Sequence, residues 1–287
     1  MAWDDEILSS RADPGASPAA VEHRFQVAAT PYLSAQPLIF GIGADSPLAL
    51  TPQPPQRIWK DLIAEQAHAG LVPVLDLQRA YSPLIVLPAG AVSCAGPCYA
   101  AQIYSHVPAK RLAAVWADVN GLTAAALAIV IWGVEFRRRL RVITYDPSRQ
   151  EPPKDASAVL VTEDRVVSHP PVGFHYKLDL GAMWFEITGL PFVFSVWAAE
   201  DGAHLQEIHD LLLRSRLAGK EHLKLIARRH SPLIGWPRKL AEQCLANQLH
   251  YEFADAHRDG MEEFFYLCEA FGLIERFKLP KYLYEPA

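Results

Sequence analysis

Short apolar runs of strand length alternate with segments of helical spacing along most of this chain. The strand-like runs are 24–29, 69–73, 84–93, 101–105, 112–118, 141–145, 158–162, 176–179 and 192–198. Helical spacing is found at 37–42, 57–66 and 123–137, and in a carboxyl-terminal group that begins near residue 203. This alternation predicts an α/β fold with a mainly parallel sheet, because parallel strands need a crossover, usually a helix, between them.

The length of the chain and the positions of two short strands predict two lobes. With 287 residues, the chain is long enough for one large domain or two of medium size. The runs 101–105 and 192–198 bracket a self-contained block of strands and helices. We therefore expect a second lobe, residues 108–188, to be inserted into a first lobe formed by 24–107 and 189–287. A cleft between two lobes is the default place for a ligand site.

The composition of the chain indicates its cellular location and the classes of partner that it can bind. Residues 1–23 are acidic and rich in Ser, Pro and Ala, which predicts a disordered tail and not a secretion signal. The most apolar segment, 123–134, is too short to span a bilayer. A net charge of −5 argues against a general nucleic-acid binder, because neutralising phosphates requires a basic field. We expect a cytoplasmic monomer or homodimer with no nucleic-acid and no membrane partner.

The cysteines and histidines form no metal or catalytic motif. Cys94 and Cys98 are close in sequence but lack the second Cys or His pair that a zinc site needs. His204 and His209 are five residues apart, whereas a zinc-protease helix spaces its histidines by four. The chain also has no P-loop, no glycine-rich dinucleotide fingerprint and no Gly-x-Ser-x-Gly elbow. The pattern therefore predicts no metal site.

A polar corner interrupts the apolar stretch ATPYLSAQPLIFG at residues 29–41. We expect Ser34 to cap a short helix there, with Pro37 in its first turn, where the missing N–H costs nothing. The carboxyl end of a strand beside a helix amino terminus is also where open α/β sheets bind small anions. Ser34 is thus predicted to serve as both a cap and a ligand contact.

Three further segments place small or polar residues at strand ends, namely 94–97, 118–123 and 188–191. In the second of them a strand ends at Asp118, Asn120 and Gly121 form a turn, and Thr123 is expected to cap the apolar helix. The free amides of that first turn are suited to a carboxylate. An ordinary capped connection is the simpler explanation of each segment taken alone. Together, the residues predict a small anionic ligand between two α/β lobes.

Several motifs, in one order along the chain, resemble those of a known enzyme family. Tyr32-Leu33-Ser34-Ala35-Gln36-Pro37-Leu38 is similar to the Tyr-Leu-Asn-x-x-Pro-Leu motif of chorismate dehydratase, which opens the futalosine route to menaquinone. The most specific match runs from Trp184 through Thr188-Gly189-Leu190-Pro191 to Trp197. Weaker matches follow the family order at 71–73, 96–97, 158–161, 164–165, 179–181 and 247–251. The resemblance covers about residues 24–275.

This resemblance implies a fold, a reaction and a set of site residues. The fold is the two-lobed periplasmic-binding-protein type II-like fold, with the second lobe inserted into the first. The implied enzyme is a lyase that dehydrates chorismate, a small dicarboxylate, to 3-[(1-carboxyvinyl)oxy]benzoate without a metal or an organic cofactor. Ser34 is the implied catalytic residue, and the implied substrate contacts are Tyr32, Ser34, Cys94, Gly96, Pro97, Ala100, Asn120 and Thr123.

The chain departs from the family pattern at four places in the expected pocket. Ser34 replaces an Asn, Ala100 replaces a Ser and Glu163 replaces a Gly, while the family run Ser-Arg-Thr-Ser becomes Gly-Leu-Thr-Ala at 121–124. Two alternatives therefore stay open beside the dehydratase. One is a catalytically silent protein that binds a small cyclic or aromatic carboxylate, and the other is a sister enzyme with a retuned pocket.

Overall fold

Two β-sheets organise the chain in a computed structural model that describes residues 24–43, 45–80 and 82–284. The tail predicted for residues 1–23 lies outside the described residues. The strands of the described chain are β1 (Phe25–Ala29), β2 (Leu48–Pro52), β3 (Ala69–Pro73), β4 (Ile85–Cys94), β5 (Ala101–Ser105), β6 (Ala114–Asp118), β7 (Arg141–Tyr145), β8 (Ala158–Thr162), β9 (Tyr176–Asp179), β10 (Phe192–Ala199) and β11 (Lys281–Tyr282).

Helices connect and flank these strands. The α-helices are α1 (Pro55–Ile63), α2 (Val74–Arg79), α3 (Leu122–Phe136), α4 (Arg165–Ser168), α5 (Leu180–Thr188), α6 (Leu205–Glu221), α7 (Leu223–His230), α8 (Arg238–Gln243) and α9 (Asp255–Ala270). Two 3₁₀ helices, Leu33–Leu38 and Ala109–Arg111, and a π-helical turn, Cys244–Gln248, complete the described elements. Among these helices, none has both the length and the apolar character that crossing a bilayer demands.

Both sheets mix parallel and antiparallel strands. The first sheet has the order β11–β4–β10–β3–β1–β2, and in it β1 is parallel to β2 and β3 while β10 is antiparallel to β3 and β4. The second has the order β7–β6–β8–β5–β9, with β6 parallel to β7 and β8 and β5 antiparallel to β8 and β9. With the parallel pair β4–β11, five of the nine strand pairings of the described chain are parallel, so the expected parallel strands are present but share each sheet with antiparallel ones. The antiparallel strands β5 and β10 are those that follow the two crossings of the chain between the sheets.

The first crossing changes the assignment of one predicted strand. The predicted division places 101–105 in the first lobe, but β5 pairs with β8 and β9, so that Ile103 lies opposite Leu160 and Leu178. All five residues of β5 are buried, as expected for an inner strand of the second sheet. A run of apolar residues does not show which sheet it joins, and this is why the sequence misplaced β5. The rest of the predicted division stays a prediction.

Each of the nine predicted runs overlaps an observed strand, and two strands of the described chain were missed. β2 is an edge strand whose last two residues are exposed and which ends at Pro52, so it carries little apolar signal. β11 has only two residues and lies at the opposite edge. Short edge strands are inherently poor in the alternating or continuous apolar pattern on which prediction depends.

A buried aromatic cluster fixes the second crossing. Trp184 of α5, Phe192 of β10 and Phe264 of α9 are each fully buried. Their rings meet edge-on, with centroids 5.5 Å apart for Trp184 and Phe192 and 5.0 Å apart for Phe192 and Phe264. Burial of a side chain of this size contributes about 1.5–3 kcal/mol, and edge-on ring pairs add to it. The cluster therefore holds α5 and α9 rigidly against β10 where the chain returns to the first sheet.

Helix α6 positions the 3₁₀ helix Leu33–Leu38 that follows β1. Gly219 of α6 lies so close to the carbonyl group of Pro37 that a Cβ atom at residue 219 would collide with it. One turn earlier, the hydroxyl of Ser215 donates a 2.6 Å hydrogen bond to the carbonyl oxygen of Phe40. These contacts fix the segment that carries Tyr32 and Ser34 relative to the first sheet.

Candidate functional site

A cleft of about 690 Å³, open to solvent, lies where strands of both sheets end. The first sheet contributes Thr30 after β1, Pro73 and Asp76 after β3, and Phe194 and Ser195 of β10. The second contributes residues 120–124 after β6 and residues 162–163 at the end of β8. Parallel strands present their carboxyl ends at one edge, which is where open α/β sheets bind ligands.

Five of the eight predicted contact residues line this cleft, and three do not. Tyr32, Ser34, Ala100, Asn120 and Thr123 are lining residues, drawn from both sides. Cys94, Gly96 and Pro97 are not among them. The sulfur of Cys94 and the carbonyl oxygen of Gly96 pack instead against Gly181 of α5, leaving no room for a side chain there, and Pro97 is exposed. These residues form the first crossing of the chain between the sheets, and they do not line this cleft.

Ser34 lies in the cleft, but it does not cap a helix. The 3₁₀ helix spans Leu33–Leu38, so Ser34 is its second residue, and the cap position is held by Tyr32 without a side-chain hydrogen bond. The Ser34 hydroxyl donates instead to Oε2 of Glu163, at 2.8 Å. The predicted helix at 37–42 is therefore wrong by about one turn. The packing of Gly219 on Pro37 determines where this helix lies, and the local sequence does not show that contact.

Glu163 is the main site residue that the residue pattern alone did not predict. It follows β8 with φ at 54°, in the left-handed region that favours glycine, and its N–H donates to the carbonyl oxygen of Ala100 at 2.9 Å. Burial raises the pKa of its carboxyl to about 7, with Asp164 raising it further and the Ser34 hydrogen bond opposing the rise. The only sequence signal is the glycine that the family has at this position, which adopts such a φ without strain.

Asp164 provides a second link between the two sheets. Its carboxylate accepts hydrogen bonds from the backbone N–H of Leu33 at 3.1 and 3.4 Å. Its carbonyl oxygen accepts from the indole nitrogen of Trp236 at 2.8 Å. Burial raises the pKa of Asp164 to about 6, and the Leu33 hydrogen bond lowers it. Residues 163 and 164 thus bind consecutive residues of the 3₁₀ helix from the end of β8.

Thr123 has an unpartnered hydroxyl in the cleft. It is the second residue of α3, and Gly121 occupies the cap position, so the predicted capping role is wrong. Its Oγ1 atom is buried and has no hydrogen-bond partner among the residues that the structure describes. A buried hydroxyl without a partner is uncommon, because its desolvation is not repaid. The arrangement is suited to a ligand oxygen that reaches the amino terminus of α3.

Asn120 stabilises the turn before α3. Its side-chain Nδ2 and its backbone N–H both donate to Oδ1 of Asp118, at 2.9 and 2.8 Å. The opposite oxygen of Asp118 lies 3.7 Å from Nη1 of Arg165. The amide group of Asn120 is therefore engaged by the turn, as its predicted turn chemistry requires.

Two further groups on the first-sheet side of the cleft carry no sequence motif. Asp76 of α2 is buried, and its burial raises the pKa of the carboxyl to about 6, although Nη1 of Arg79 lies 3.6 Å from its Oδ1 and lowers it. The Oε1 atom of Gln56 is buried and has no hydrogen-bond partner in the described part of the chain. Tyr32 is partly buried, and its pKa is raised by burial and by Glu163, so its phenol stays protonated.

The cleft has neutral donors and two carboxyl groups but no cationic side chain in its lining. Asp76 and Glu163 are the carboxyl groups among the lining residues of the described chain, and no Lys, Arg or His lines it. Any attraction for a carboxylate must therefore come from hydroxyls and from the amino terminus of α3, where the first backbone N–H groups have no partner inside the helix. This agrees with the prediction of neutral donors, but the carboxyl groups were not foreseen.

One cluster outside the cleft has the composition of a metal site. His250, Glu252 and His257 have ligand atoms within 4.8 Å of one another. The Nδ1 atom of His257, however, accepts a hydrogen bond from the backbone N–H of Ala254 at 3.2 Å. The proton of this neutral imidazole is then on Nε2, which leaves no lone pair there for a metal ion. We therefore assign no metal to this cluster.

Comparison with known proteins identifies relatives of this fold. A family model described as menaquinone biosynthesis matches residues 25–270. Among solved structures, protein AF1704 from Archaeoglobus fulgidus superposes with a TM-score of 0.63 at 14% identity, over 88% of this chain and 99% of that chain.

Two further solved structures carry the same architecture. The Candida albicans CA3427 gene product, described as having the generic periplasmic binding protein fold, matches with a TM-score of 0.60 at 11% identity, covering 88% of this chain and 92% of its own. The aliphatic sulphonate binding protein SsuA from Escherichia coli matches with a TM-score of 0.59 at 12% identity, covering 88% and 94%. At such identities the likeness shows the fold alone, and it confirms the predicted periplasmic-binding-protein-like fold class.

Proposed function

This chain belongs to the menaquinone-biosynthesis family to which chorismate dehydratase also belongs, and on that premise we propose that it dehydrates chorismate to 3-[(1-carboxyvinyl)oxy]benzoate in the cleft. The observation that carries the proposal is the buried, unpartnered Oγ1 of Thr123 at the amino terminus of α3. A substrate oxygen bound there regains the free energy that the unpaired hydroxyl costs. The match to the family model confirms the family resemblance predicted from the sequence, while the reaction remains our proposal.

The proposed substrate matches the donors that the cleft offers. Chorismate carries carboxylates and a ring hydroxyl but no phosphate. One carboxylate would accept from Thr123 and from the first backbone N–H groups of α3, a helix of fifteen residues. The unpartnered Oε1 of Gln56, on the first-sheet side, would accept from the ring hydroxyl. Leu71 and Phe194 supply apolar surface for the ring.

The proposed reaction needs no covalent bond between the protein and the substrate. Loss of water from the ring produces an aromatic ring, so the enzyme mainly has to orient the substrate and assist the leaving hydroxyl. The donors and acceptors lie on elements of both sheets, so a bound ring would be held from both sides. No organic cofactor enters this proposal.

The decisive test is turnover of chorismate. Purified protein is incubated with chorismate, and substrate loss and product formation are followed by liquid chromatography and mass spectrometry. We expect the wild type and Thr144→Val, which alters an exposed threonine on β7, to form the enolpyruvyl benzoate at equal rates. Thr123→Val should lower kcat/KM by about tenfold or more, since a hydrogen bond to a charged carboxylate is lost. Absence of product with the wild type would refute the proposal.

A binding protein without catalytic activity is the second candidate, and one observation favours it. The Ser34 hydroxyl is engaged by Glu163, and Ala100 presents a methyl group, so two donors of the family pattern are not offered to a ligand. This candidate predicts that chorismate, or its product, raises the melting temperature without being consumed. The dehydratase predicts consumption of chorismate in the same samples, which separates the two candidates in a single experiment.

A further inference from the structure

We infer that Glu163 is the general acid of the proposed dehydration, giving the proton of its carboxyl group to the hydroxyl that leaves the ring. This inference rests on the proposed function and adds a catalytic residue that the family pattern, with its glycine at this position, lacks. Three observations support it: the position of the Glu163 side chain, its hydrogen bonds, and the carboxyl group of Asp76 on the other side of the cleft.

The backbone directs the Glu163 side chain into the cleft. Its φ of 54° is a conformation that residues other than glycine rarely adopt, and such conformations concentrate at functional sites. The hydrogen bond from its N–H to Ala100 and the contact of Asp164 with Leu33 hold this turn from both ends. A glutamate in place of the favoured glycine thus puts a carboxyl group beside Ser34, in the wall of the cleft.

The contacts of the carboxyl group leave one oxygen available. Oε2 accepts the 2.8 Å hydrogen bond from Ser34, whereas Oε1 has no hydrogen-bond partner within the described chain. Behind Glu163 lies a smaller cavity of about 230 Å³ that it shares with Ser34, and Trp236 and Leu249 are among its apolar walls. One oxygen is therefore anchored, and the other is free to meet a substrate hydroxyl.

The surroundings raise the protonated fraction of this carboxyl group at neutral pH well above that of an ordinary glutamate. Burial is the largest cause of its raised pKa of about 7, and the adjacent carboxylate of Asp164 adds to it. The other titratable groups that lie near Glu163 in the described chain are Tyr32, Tyr99, Cys244 and Tyr251. An anionic ligand in the cleft raises the pKa further, because like charges oppose ionisation. Substrate binding thus supplies the acid in the form that the reaction needs.

Asp76, on the first-sheet side, and Glu163 have charged neighbours that favour opposite protonation states, as an acid–base pair requires. Arg79, the neighbour of Asp76, favours the ionised form, whereas Asp164, the neighbour of Glu163, favours the protonated form. Two carboxyl groups whose surroundings separate their pKa values are typical of sites where one acts as an acid and the other stays charged.

The step balances without any further reactant. The ring C–O bond breaks, and its oxygen takes the proton of Glu163 and leaves as water. The C–H bond on the ring carbon that bears the enolpyruvyl ether, adjacent to the carbon losing the hydroxyl, supplies the electron pair of the new ring double bond. Its proton goes to a carboxylate, either that of Asp76 or the side-chain carboxylate of the substrate, and returns through solvent to Glu163.

Glu163→Gln provides the test, because glutamine keeps the size of the side chain and an acceptor for Ser34 but has no proton to give. With chorismate as substrate, we expect kcat to fall by about a hundredfold to ten-thousandfold, the range for loss of a general acid. The alkaline limb of the wild-type kcat/KM profile, near pH 7, should vanish in the residual activity. Glu186→Gln, which changes an exposed residue of α5, should retain both the rate and the limb.

A second readout needs no turnover. Binding of 3-[(1-carboxyvinyl)oxy]benzoate is measured by calorimetry at pH 7.5 in phosphate and in Tris, whose ionisation heats differ. Proton uptake by the wild type that disappears in Glu163→Gln supports the inference. Wild-type turnover with an unimpaired Glu163→Gln variant overturns the inference and leaves the proposed function intact. A wild type that forms no product overturns the proposed function and, with it, this role of Glu163.

Discussion

The hydroxyl of Ser34 donates a 2.8 Å hydrogen bond to Oε2 of Glu163, and this bond joins the 3₁₀ helix beside the first sheet to the end of β8 in the second. The two residues are 129 positions apart in sequence. Asp164 binds the neighbouring N–H of Leu33, so the two adjacent carboxyl groups contact one short helix. The binding cleft and the contact between the sheets therefore share residues, and a change at either one affects both.

Replacement of Ser34 by alanine should move the pH dependence of activity. The Ser34 hydrogen bond favours the ionised form of Glu163 and lowers its pKa, so its loss raises that pKa above about 7. If Glu163 acts as an acid, the alkaline limb of the kcat/KM profile should move to higher pH in Ser34→Ala. Ser148→Ala removes a hydroxyl that binds Asp146 at the surface and should leave the limb in place. An unshifted limb in Ser34→Ala would contradict the link between these two residues.

The stability of the protein should fall as the pH rises through the range of its buried carboxyl groups. The pKa of Glu163 is 4.5 when unperturbed and about 7 in the folded chain, so the folded state binds more protons between these values. Stability therefore decreases as the pH rises from about 4.5 to 7, and Asp76 and Asp164 act in the same direction between about 4 and 6.

Glu163→Gln isolates the contribution of Glu163 to that fall. A neutral amide has no titration, so the free energy of unfolding of the variant should gain on that of the wild type as the pH rises from 5 to 8. Each unit of pKa shift corresponds to about 1.4 kcal/mol, and we expect a relative gain of roughly 1–3 kcal/mol because the group is partly solvated. Urea unfolding at several pH values measures it. A constant difference between the two proteins would show that Glu163 titrates normally.

Thr123→Val should have opposite effects on stability and on ligand binding. Without a ligand, the buried Oγ1 of Thr123 is desolvated without a hydrogen bond, which destabilises the folded state. Its replacement by a methyl group should therefore stabilise the free protein by about 1 kcal/mol. With 3-[(1-carboxyvinyl)oxy]benzoate present, the variant should gain less thermal stability than the wild type. Urea unfolding and calorimetry check the two halves separately. Equal ligand affinity would show that Thr123 does not contact the ligand.

The sequence predicted most of the strands and the location of the cleft, because both depend on local patterns. Apolar runs show where strands lie, and polar corners at their ends brought Tyr32, Ser34 and Thr123 to the cleft. Which sheet β5 joins, and which side chain receives the Ser34 hydrogen bond, depend on contacts across more than fifty residues. Asp76 belongs to no motif, because its burial beside the cleft is a tertiary feature, although its ion pair with Arg79 is local to α2.

The position of the 3₁₀ helix depends on Gly219, and this can be tested by adding one carbon atom. Gly219 lies inside α6, where alanine normally stabilises a helix by about 1 kcal/mol relative to glycine. Here the added Cβ collides with the carbonyl group of Pro37, so Gly219→Ala should instead destabilise the protein by about 1–3 kcal/mol, as overpacking does. The displaced helix should also carry Ser34 away from Glu163 and reduce chorismate turnover. Gly202→Ala is the matched control, because a Cβ there meets nothing within 4 Å. A Gly219→Ala protein that is as stable and as active as Gly202→Ala would show that α6 does not position Ser34.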